Sequence, residues 1–366
     1  MGRQAGTDVY LLAEQLRARV PGGIGTHTRA ILQRLSFLRS DFPEIRLHVV
    51  ASRVKGDDPL EEFNLPIRRL PFSHEIFMRL SGTRIGLVGS RPGIYHSFSM
   101  LVPHVGNRSG LKVCTVHDLA FLSNPAFFTQ RGVEWHTRQL KAIVDGKFPV
   151  VVVSELTGAY LMTTGVTSER IHVIESGADH LCSPDIGESE KFLRSLNIQN
   201  GFLLSVSTIE PRKNLDGLIA GYRLARAADP SLPELLIVGP FGWGSSPERV
   251  PDVHFLGHVS EEVLVGLYRS ASMLVYVPFE EGFGLPVVEA MLNRLPVVGS
   301  QVPSGANAME VVDPHIPESI AGGILKVFHD PNRRAQLCEL GLARAGSLKW
   351  DGVARKHLEL WRKMHQ

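Results

Sequence analysis

The stretch MLVYVPFEEGFGLPVVEAML, Met273–Leu292, decides the fold. It opens on an apolar run that reads as a strand to Pro278 and passes through a loop, Phe279–Leu285, with two glycines and two carboxylates. A helical pattern then begins at Pro286, and proline suits the first position of a helix, where its missing N–H costs nothing. A strand that is apolar throughout, rather than alternating, is one buried on both faces, as in a parallel sheet covered by helices.

The same reading extends outward. Short apolar runs predict strands at Val9–Leu12, Leu47–Ala51, Gly93–His96, Val113–Val116 and Val150–Ser154, then at Phe202–Val206, Glu234–Val238, His254–Leu256, Met273–Pro278 and Pro296–Gly299. Between them lie helical patterns such as Thr26–Leu38, Leu215–Ala227 and Glu261–Ala271. Strand and helix in repeated alternation predict α/β architecture with doubly wound parallel sheets. The chain has 366 residues, and domains rarely exceed about 200, so two are expected. The segment SGADHLCSPDIGESE, Ser176–Glu190, lacks periodicity and is rich in Gly, Ser, Pro and Asp, which places a linker there. The expected domains are residues 1–180 and 190–345, with 350–366 a basic amphipathic helix that closes the second or packs back on the first.

Composition excludes several classes. Hydrophobic residues are 43% and charged residues 21%, an ordinary globular balance. A net charge of +2 is too small for a nucleic-acid-binding protein but allows loose contact with an anionic membrane face, through residues such as Arg29, Arg34 and Arg39. Cys114, Cys182 and Cys338 are scattered and odd in number, so buried free thiols of a reducing compartment are expected. No apolar run reaches the ~18 residues of a membrane span. The N-terminal residues lack the apolar stretch of a signal peptide, and Gly6 stands where myristoylation needs Ser or Thr. A cytoplasmic location is the expectation, with the inner membrane face as a possible station.

In parallel sheets ligands bind beyond the carboxyl ends of the strands, so the chemistry is sought there. In the loop after Pro278, Gly282 and Gly284 let backbone N–H groups approach a ligand. The helix start behind Leu285 favours an anion. Glu281 in the loop and Glu289 one turn into the helix are acceptors for hydroxyls such as those of a ribose or a hexose. The run FLLSVSTIEPRKN, Phe202–Asn214, ends in Arg212 and Lys213 just ahead of a helix that Asn214 is placed to cap. Two cations at the positive end of a helix dipole are in conflict, which a bound diphosphate would relieve. They also read as two solvated surface cations. PGGIGTH, Pro21–His27, is a Gly-rich loop opening a helix; Thr28 stands where a dinucleotide fingerprint needs its last glycine. VCTVHDLAFLSNP, Val113–Pro125, ends a strand at His117-Asp118, where the histidine could donate to a sugar hydroxyl, act as acid or base, or merely satisfy backbone groups.

Together these segments resemble the retaining glycosyltransferases of family 4, mannosyltransferase-like members above all. Glu281 and Glu289 match that family's E-x7-E signature, HDLAF matches its segment around His117, and SELT at Ser154–Thr157, IHVIESGAD at Ile171–Asp179 and FLGHVSEEVLVGLY at Phe255–Tyr268 spread the likeness. The resemblance implies the GT-B fold, two Rossmann-like domains facing across a cleft whose closure excludes water. It implies Glu281, Phe283 and Gly284 at the donor sugar, with Gly282 and Leu285 in the same loop, and Glu289 at the nucleotide ribose. It implies Arg212 and Lys213 at the diphosphate, His117 with Asp118 beside the donor sugar, and Gly23 and Gly25 approaching donor phosphates or acceptor. Two departures stand out: Val206-Ser207 replaces a Gly-Arg pair found in some members, and Pro303-Ser304 replaces a common Pro-Glu.

The reaction so implied moves a hexose from a nucleotide-sugar, GDP-mannose first and a UDP-hexose next, to a glycan, lipid-linked or small-molecule acceptor in polysaccharide biosynthesis, with retained configuration. No Asp-x-Asp follows a strand and no carboxylates have metal-ligand spacing, so neither metal nor other cofactor is expected. Three rivals remain at this level: a sugar-nucleotide epimerase; an NAD-dependent oxidoreductase, which Thr28 disfavours; and a non-catalytic partner subunit that binds nucleotide-sugars.

Overall fold

A computed structural model describes residues 6–81, 87–106, 110–182, 186–196, 198, 201–244 and 250–365. The described residues up to Ser176, together with the C-terminal helix, form one unit, and Gly177–Lys349 forms another.

In the first unit the strands are β1 (Thr7–Leu12), β2 (Ile45–Arg53), β3 (Ile67–Ser73), β4 (Leu87–Gly89), β5 (Gly93–Ser97), β6 (His104–Val105), β7 (Gly110–Val116), β8 (Val150–Val152) and β9 (Ile171–Val173). Seven of them make one parallel sheet in the order β3-β2-β1-β5-β7-β8-β9, while β4 and β6 pair apart from it. The order reverses between β1 and β5. With right-handed crossovers this puts helices on both faces and opens a crevice at the carboxyl ends there. Central strands are buried as expected: Val150, Val151 and Val152 of β8 are each 0% exposed. The edge strand β3, IRRLPFS, was not predicted, because its exposed residues and Pro71 break the apolar signal; proline is tolerated there since an edge strand leaves N–H groups unpaired.

The helices of this unit are α1 (Gly22–Leu38), α2 (His74–Leu80), α3 (Ala120–Ser123), α4 (Gln130–Asp145) and α5 (Glu155–Thr163). Helix α1 corrects the reading of PGGIGTH as a loop. Gly23 and Gly25 lie in its first turn, and the Gly25 N–H already donates to Pro21 O at 3.0 Å. Gly25 is there for closeness, since a Cβ on it would stand 2.3 Å from Pro21 Cβ.

The second unit holds β10 (Phe202–Val206), β11 (Glu234–Val238), β12 (Val253–Gly257), β13 (Met273–Tyr276), β14 (Val297–Gly299) and β15 (Glu310–Val311), a parallel sheet in the order β12-β11-β10-β13-β14-β15. Its helices are α6 (Ile186–Ser195), α7 (Leu215–Ala228), α8 (Glu261–Ser270), α9 (Leu285–Leu292), α10 (Pro317–His329) and α11 (Pro331–Gly346). Helix α6 corrects the linker reading. Part of the Ser176–Glu190 segment is helical and packs on α8, with Ser189 Oγ where a Cβ on Gly266 would need to be, 1.8 Å away. Short polar residues hid the helix because its packing depends on a glycine in its partner.

The last helix, α12 (Trp350–His365), packs against α1 in the first unit. Trp350 and Trp361 are both 0% exposed. Each aromatic side chain of this kind buries on the order of 150–250 Å², so the two indoles anchor the helix. The Trp361 Nε1 donates to His96 Nδ1 on β5 at 3.0 Å. Arg34 of α1 lies 3.6 Å from Asp351 of α12, Arg29 pairs with Glu62, and Arg39 donates to Asn64 O. Arg29 and Arg34 are thus ion-paired, and Arg39 is bound to a backbone carbonyl. Among the described residues no helix is long and apolar enough to cross a membrane. All three cysteines are free; burial pushes the Cys114 thiol up to about 12, but Cys182 is exposed, contrary to expectation, on the loop ahead of α6.

Candidate active site

In the second unit two loops meet beyond the carboxyl ends of β10 and β13. The first runs from Ser207 to Asn214 and closes with a single 3-10 turn, Pro211–Lys213. Asn214 does not cap α7 with its side chain. Its backbone is left-handed, φ 55°, and its carboxamide lies over Gly217 in the first turn without bonding a helix amide. Nδ2 instead donates to Val277 O at 3.0 Å and to Pro314 O at 2.7 Å. A further bond, Phe279 N to Arg212 O at 3.0 Å, ties the loops to each other.

The second loop ends at Gly284, φ 97°, in a conformation only glycine adopts easily. A Cβ there would also press on Ser304 Oγ, whose hydroxyl donates to Gly284 O at 2.9 Å. Ser304 N donates to Phe283 O as well, so Ser304, read as a departure from the family wording, braces this turn. Helix α9 starts directly behind it at Leu285. Gly282, Phe283 and Gly284 are buried in this turn and Leu285 is half-buried.

The charged groups converge here. Glu281 Oε2 accepts from Lys213 Nζ at 2.5 Å and from Tyr276 OH at 2.7 Å, with Arg212 NH1 3.6 Å away. Arg212 in turn donates to Glu210 Oε1 at 2.9 and 3.2 Å and to Glu280 O at 3.2 Å. Burial pushes the Glu281 carboxyl up, but Lys213 and Arg212 outweigh it and hold the group at about 2. At Glu210 burial prevails over the same two cations, and its carboxyl is raised. The two cations ahead of α7 are therefore screened by carboxylates of the chain itself, rather than standing bare for an anion.

Glu289 is buried on α9, 6% exposed. Its Oε2 accepts from Tyr268 OH at 2.7 Å, and its Oε1 lies 3.1 Å from His180 Nε2. Burial and the Glu289 charge push the Tyr268 hydroxyl well above its ordinary range, so it stays a donor.

In the first unit His117 follows β7. Its Nε2 lies 2.9 Å from Phe98 O, and since a carbonyl only accepts, that nitrogen carries the proton. Its ring meets His27 edge-on at 4.8 Å. Asp118 Oδ1 accepts from Ala120 N at 3.2 Å at the start of α3. Gly23 is exposed on α1 and Gly25 buried.

The structure thus brings Arg212, Lys213 and Glu281 together, puts Glu289 on the adjoining helix, and places His117, Asp118, Gly23 and Gly25 in the other unit. Sequence reasoning missed Tyr276, Glu210, Tyr268 and His180. Tyr276 reads as one more apolar strand residue; the available signal was a phenol at the very end of a strand that feeds a charged loop. Among the described residues no three His, Cys, Asp or Glu side chains are grouped to hold a metal ion.

Residues 188–341 match the family model described as glycosyl transferases group 1. The chain is 27% identical to the O-antigen chain mannosyltransferase B of Escherichia coli, over 93% of this chain and 96% of that protein. Among solved structures, the sucrose-phosphate synthase of Thermosynechococcus elongatus superposes with a TM-score of 0.71 at 20% identity, covering 98% of this chain and 99% of that one. Anabaena HepE in complex with UDP-glucose superposes with a TM-score of 0.70 at 16% identity, over 98% and 100%. The chain is a glycosyltransferase of GT-B fold, similar to mannosyltransferases, and the region that resembles group 1 lies in the second unit.

Proposed function

We propose that this glycosyltransferase moves a mannosyl residue from GDP-mannose to a glycan or lipid-linked saccharide acceptor, with retained configuration and no metal, on the cytoplasmic side where polysaccharide is assembled. The observation that carries the reading is the posture of Glu281. All its hydrogen bonds among the described residues fall on Oε2, from Lys213 and Tyr276, which leaves Oε1 to the hydroxyls of a donor sugar. The mannosyl choice follows the likeness to the O-antigen chain mannosyltransferase.

In this reading the turn Gly282-Phe283-Gly284-Leu285 offers backbone N–H groups and the dipole of α9 to the donor, and Glu289 takes the ribose in exchange for its contact with His180. Arg212 and Lys213 pass from Glu281 and Glu210 to the diphosphate as its charge grows. Cations aimed at a leaving group are worth on the order of 10²–10³ in rate each. A donor phosphate oxygen takes the acceptor proton, and attack comes on the face the nucleotide leaves. In the first unit His117, with Nε2 protonated, and Asp118 serve the donor sugar, and the first turn of α1, with Gly23 and Gly25, serves donor phosphate or acceptor.

Thermal unfolding with GDP, UDP, ADP and their sugar conjugates, without added metal, tests this. A ligand bound only to the folded state adds about 2.7 kcal/mol at a hundredfold excess over Kd. The expected result is a shift with GDP-mannose that Lys213→Ala and Glu289→Ala remove while still folding. A shift with UDP-sugars instead favours the second reading, for which the fold shared with HepE in complex with UDP-glucose speaks. No shift with any nucleotide leaves a non-catalytic partner role. Proton NMR of the new linkage decides retention, and an inverted product refutes that part. Release of an altered donor without an acceptor would mark an epimerase.

A further inference from the structure

A second carboxylate cluster lies in the first unit, at the carboxyl ends of β1, β2 and β3, next to the reversal of strand order. Glu14 stands two residues beyond β1, Ser52 is the penultimate residue of β2, and His74 directly follows β3. Glu14 is 5% exposed. Its Oε2 accepts from Ser52 N at 2.8 Å, and its Oε1 from Ser52 Oγ at 2.6 Å and from His74 Nδ1 at 2.7 Å. Burial pushes the Glu14 carboxyl up, but the bonds from His74 and Ser52 outweigh it and keep the group below its ordinary value, hence ionised.

An ionised carboxylate only accepts, so the proton between the pair sits on His74 Nδ1. When the ring is neutral, the lone pair is on Nε2, and no protein group among the described residues hydrogen-bonds that atom. The His74 side chain is 32% exposed, so the lone pair is accessible. A further layer fixes the arrangement. Arg17 NH1 lies 3.4 Å from Ser52 Oγ, and its NH2 donates to Asp58 Oδ2 at 2.6 Å, with both side chains almost fully buried. Arg69 NH2 holds the same Asp58 oxygen at 3.0 Å.

The orientation separates this pair from the others. Four more histidine–carboxylate pairs occur among the described residues: His48–Asp8, His180–Glu289, His254–Glu234 and His329–Asp229. Each turns the outer nitrogen, Nε2, toward its carboxylate, with a hydrogen bond at His48, His254 and His329 and a 3.1 Å approach at His180. Glu14 grips the inner nitrogen and presents the outer one, in the one part of a parallel sheet where ligands bind.

We propose that Glu14 and His74 form a positioning dyad for the acceptor, with His74 Nε2 accepting a hydrogen bond from a saccharide hydroxyl. The proposal rests on the reading of the chain as a glycosyltransferase with a saccharide acceptor. A buried carboxylate on Nδ1–H fixes the tautomer of the neutral ring and holds its Nε2 in place as an acceptor, which suits a hydroxyl. His74 binds and orients; no proton transfer is assigned to it.

Nitrogen-15 NMR of the full chain tests it, with the His74 ring assigned by its loss in His74→Gln and methyl α-D-mannopyranoside as the probe. The expected spectrum shows a protonated Nδ1 and an unprotonated Nε2 whose resonance moves saturably with the glycoside. His74→Gln should bind the glycoside about tenfold more weakly, the effect of one such hydrogen bond, with the thermal shift from GDP-mannose unchanged. A proton on Nε2, a resonance that the glycoside does not move, or full glycoside binding by His74→Gln overturns the dyad. A His74 response without any nucleotide-induced stabilisation sinks the donor reading and leaves the dyad; nucleotide binding with a silent His74 does the reverse.

Discussion

Glu281 and Glu289 lie eight residues apart on one strand–loop–helix segment, and they are held in opposite ways. Glu281 is gripped at one oxygen by a lysine and a phenol, with an arginine nearby. Glu289 has one neutral phenol on one oxygen and a histidine on the other. The first carboxylate is kept ionised by formal charge and keeps one oxygen uncommitted. The second is hydrogen-bonded by the phenol on one oxygen, with the His180 ring 3.1 Å from the other, both from its own domain. The difference fits the two roles proposed above: Glu281 beside a diphosphate whose charge changes, Glu289 at a ribose whose charge does not.

The largest expected effect breaks the charged half. Lys213→Ala removes a cation from Glu281 Oε2 and leaves Arg212 at 3.6 Å and one phenol. Stripping one partner from a buried ion pair costs about 3–5 kcal/mol; the surviving partners keep the loss near the lower bound in denaturant titration. Transfer at saturating donor should fall more severely, by roughly 10²–10³. A fall of less than tenfold would mean that the lysine only balances Glu281.

The pH dependence of stability sharpens the same contrast. The Glu281 carboxyl is held at about 2 against an ordinary 4.5. Its stabilising contribution is therefore complete above the ordinary value and disappears as pH falls from 4.5 toward 2. Glu210 is raised, so its ionised form is a burden above its folded pKa that lifts as pH falls. The gap in thermal midpoint between wild type and Glu281→Gln should narrow as pH falls below 4.5, whereas wild type should gain relative to Glu210→Gln at higher pH, as it falls through the raised folded pKa of Glu210 toward 4.5. Parallel curves for the two variants would contradict the charge assignment.

This contrast was only half legible in the sequence. The apolar strands, the two glycines, the paired carboxylates and the Arg-Lys pair were all visible, because residue type and spacing carry them. Partnerships were not. Asn214 looks like a helix cap and becomes a staple, because its amide is committed to the carbonyls of Val277 and Pro314. PGGIGTH looks like a loop and is the first turn of a helix, because Pro21 and Gly25 pack together. The dyad of Glu14 and His74 spans sixty positions and needs three strand ends to meet, which no local pattern records.

The two phenols test the comparison most closely, since Tyr→Phe removes a single hydroxyl in each case. Tyr268 gives Glu289 Oε2 the one hydrogen bond it has among the described residues. Tyr268→Phe leaves a buried charged acceptor unmet, which costs about 1–3 kcal/mol. Donor KM should rise several-fold with kcat nearly unchanged, since the contact is the same before and during the reaction.

Tyr276 shares its acceptor with Lys213, and the same hydroxyl also accepts from that lysine at 3.1 Å. Tyr276→Phe therefore deprives no group of its last partner. Lys213 keeps Glu281, Glu281 keeps Lys213, and the ring stays in the core. The stability loss should stay below about 1 kcal/mol, the net worth of an ordinary hydrogen bond, and so below that of Tyr268→Phe, although Tyr276 sits nearer the charges. Its effect should fall on kcat instead, because the phenol fixes which oxygen of Glu281 faces outward. Equilibrium unfolding of the two variants side by side decides the matter: if Tyr276→Phe proves the more destabilising, the hydroxyl is a structural tie of the β13 end and Glu281 owes its posture to Lys213 alone.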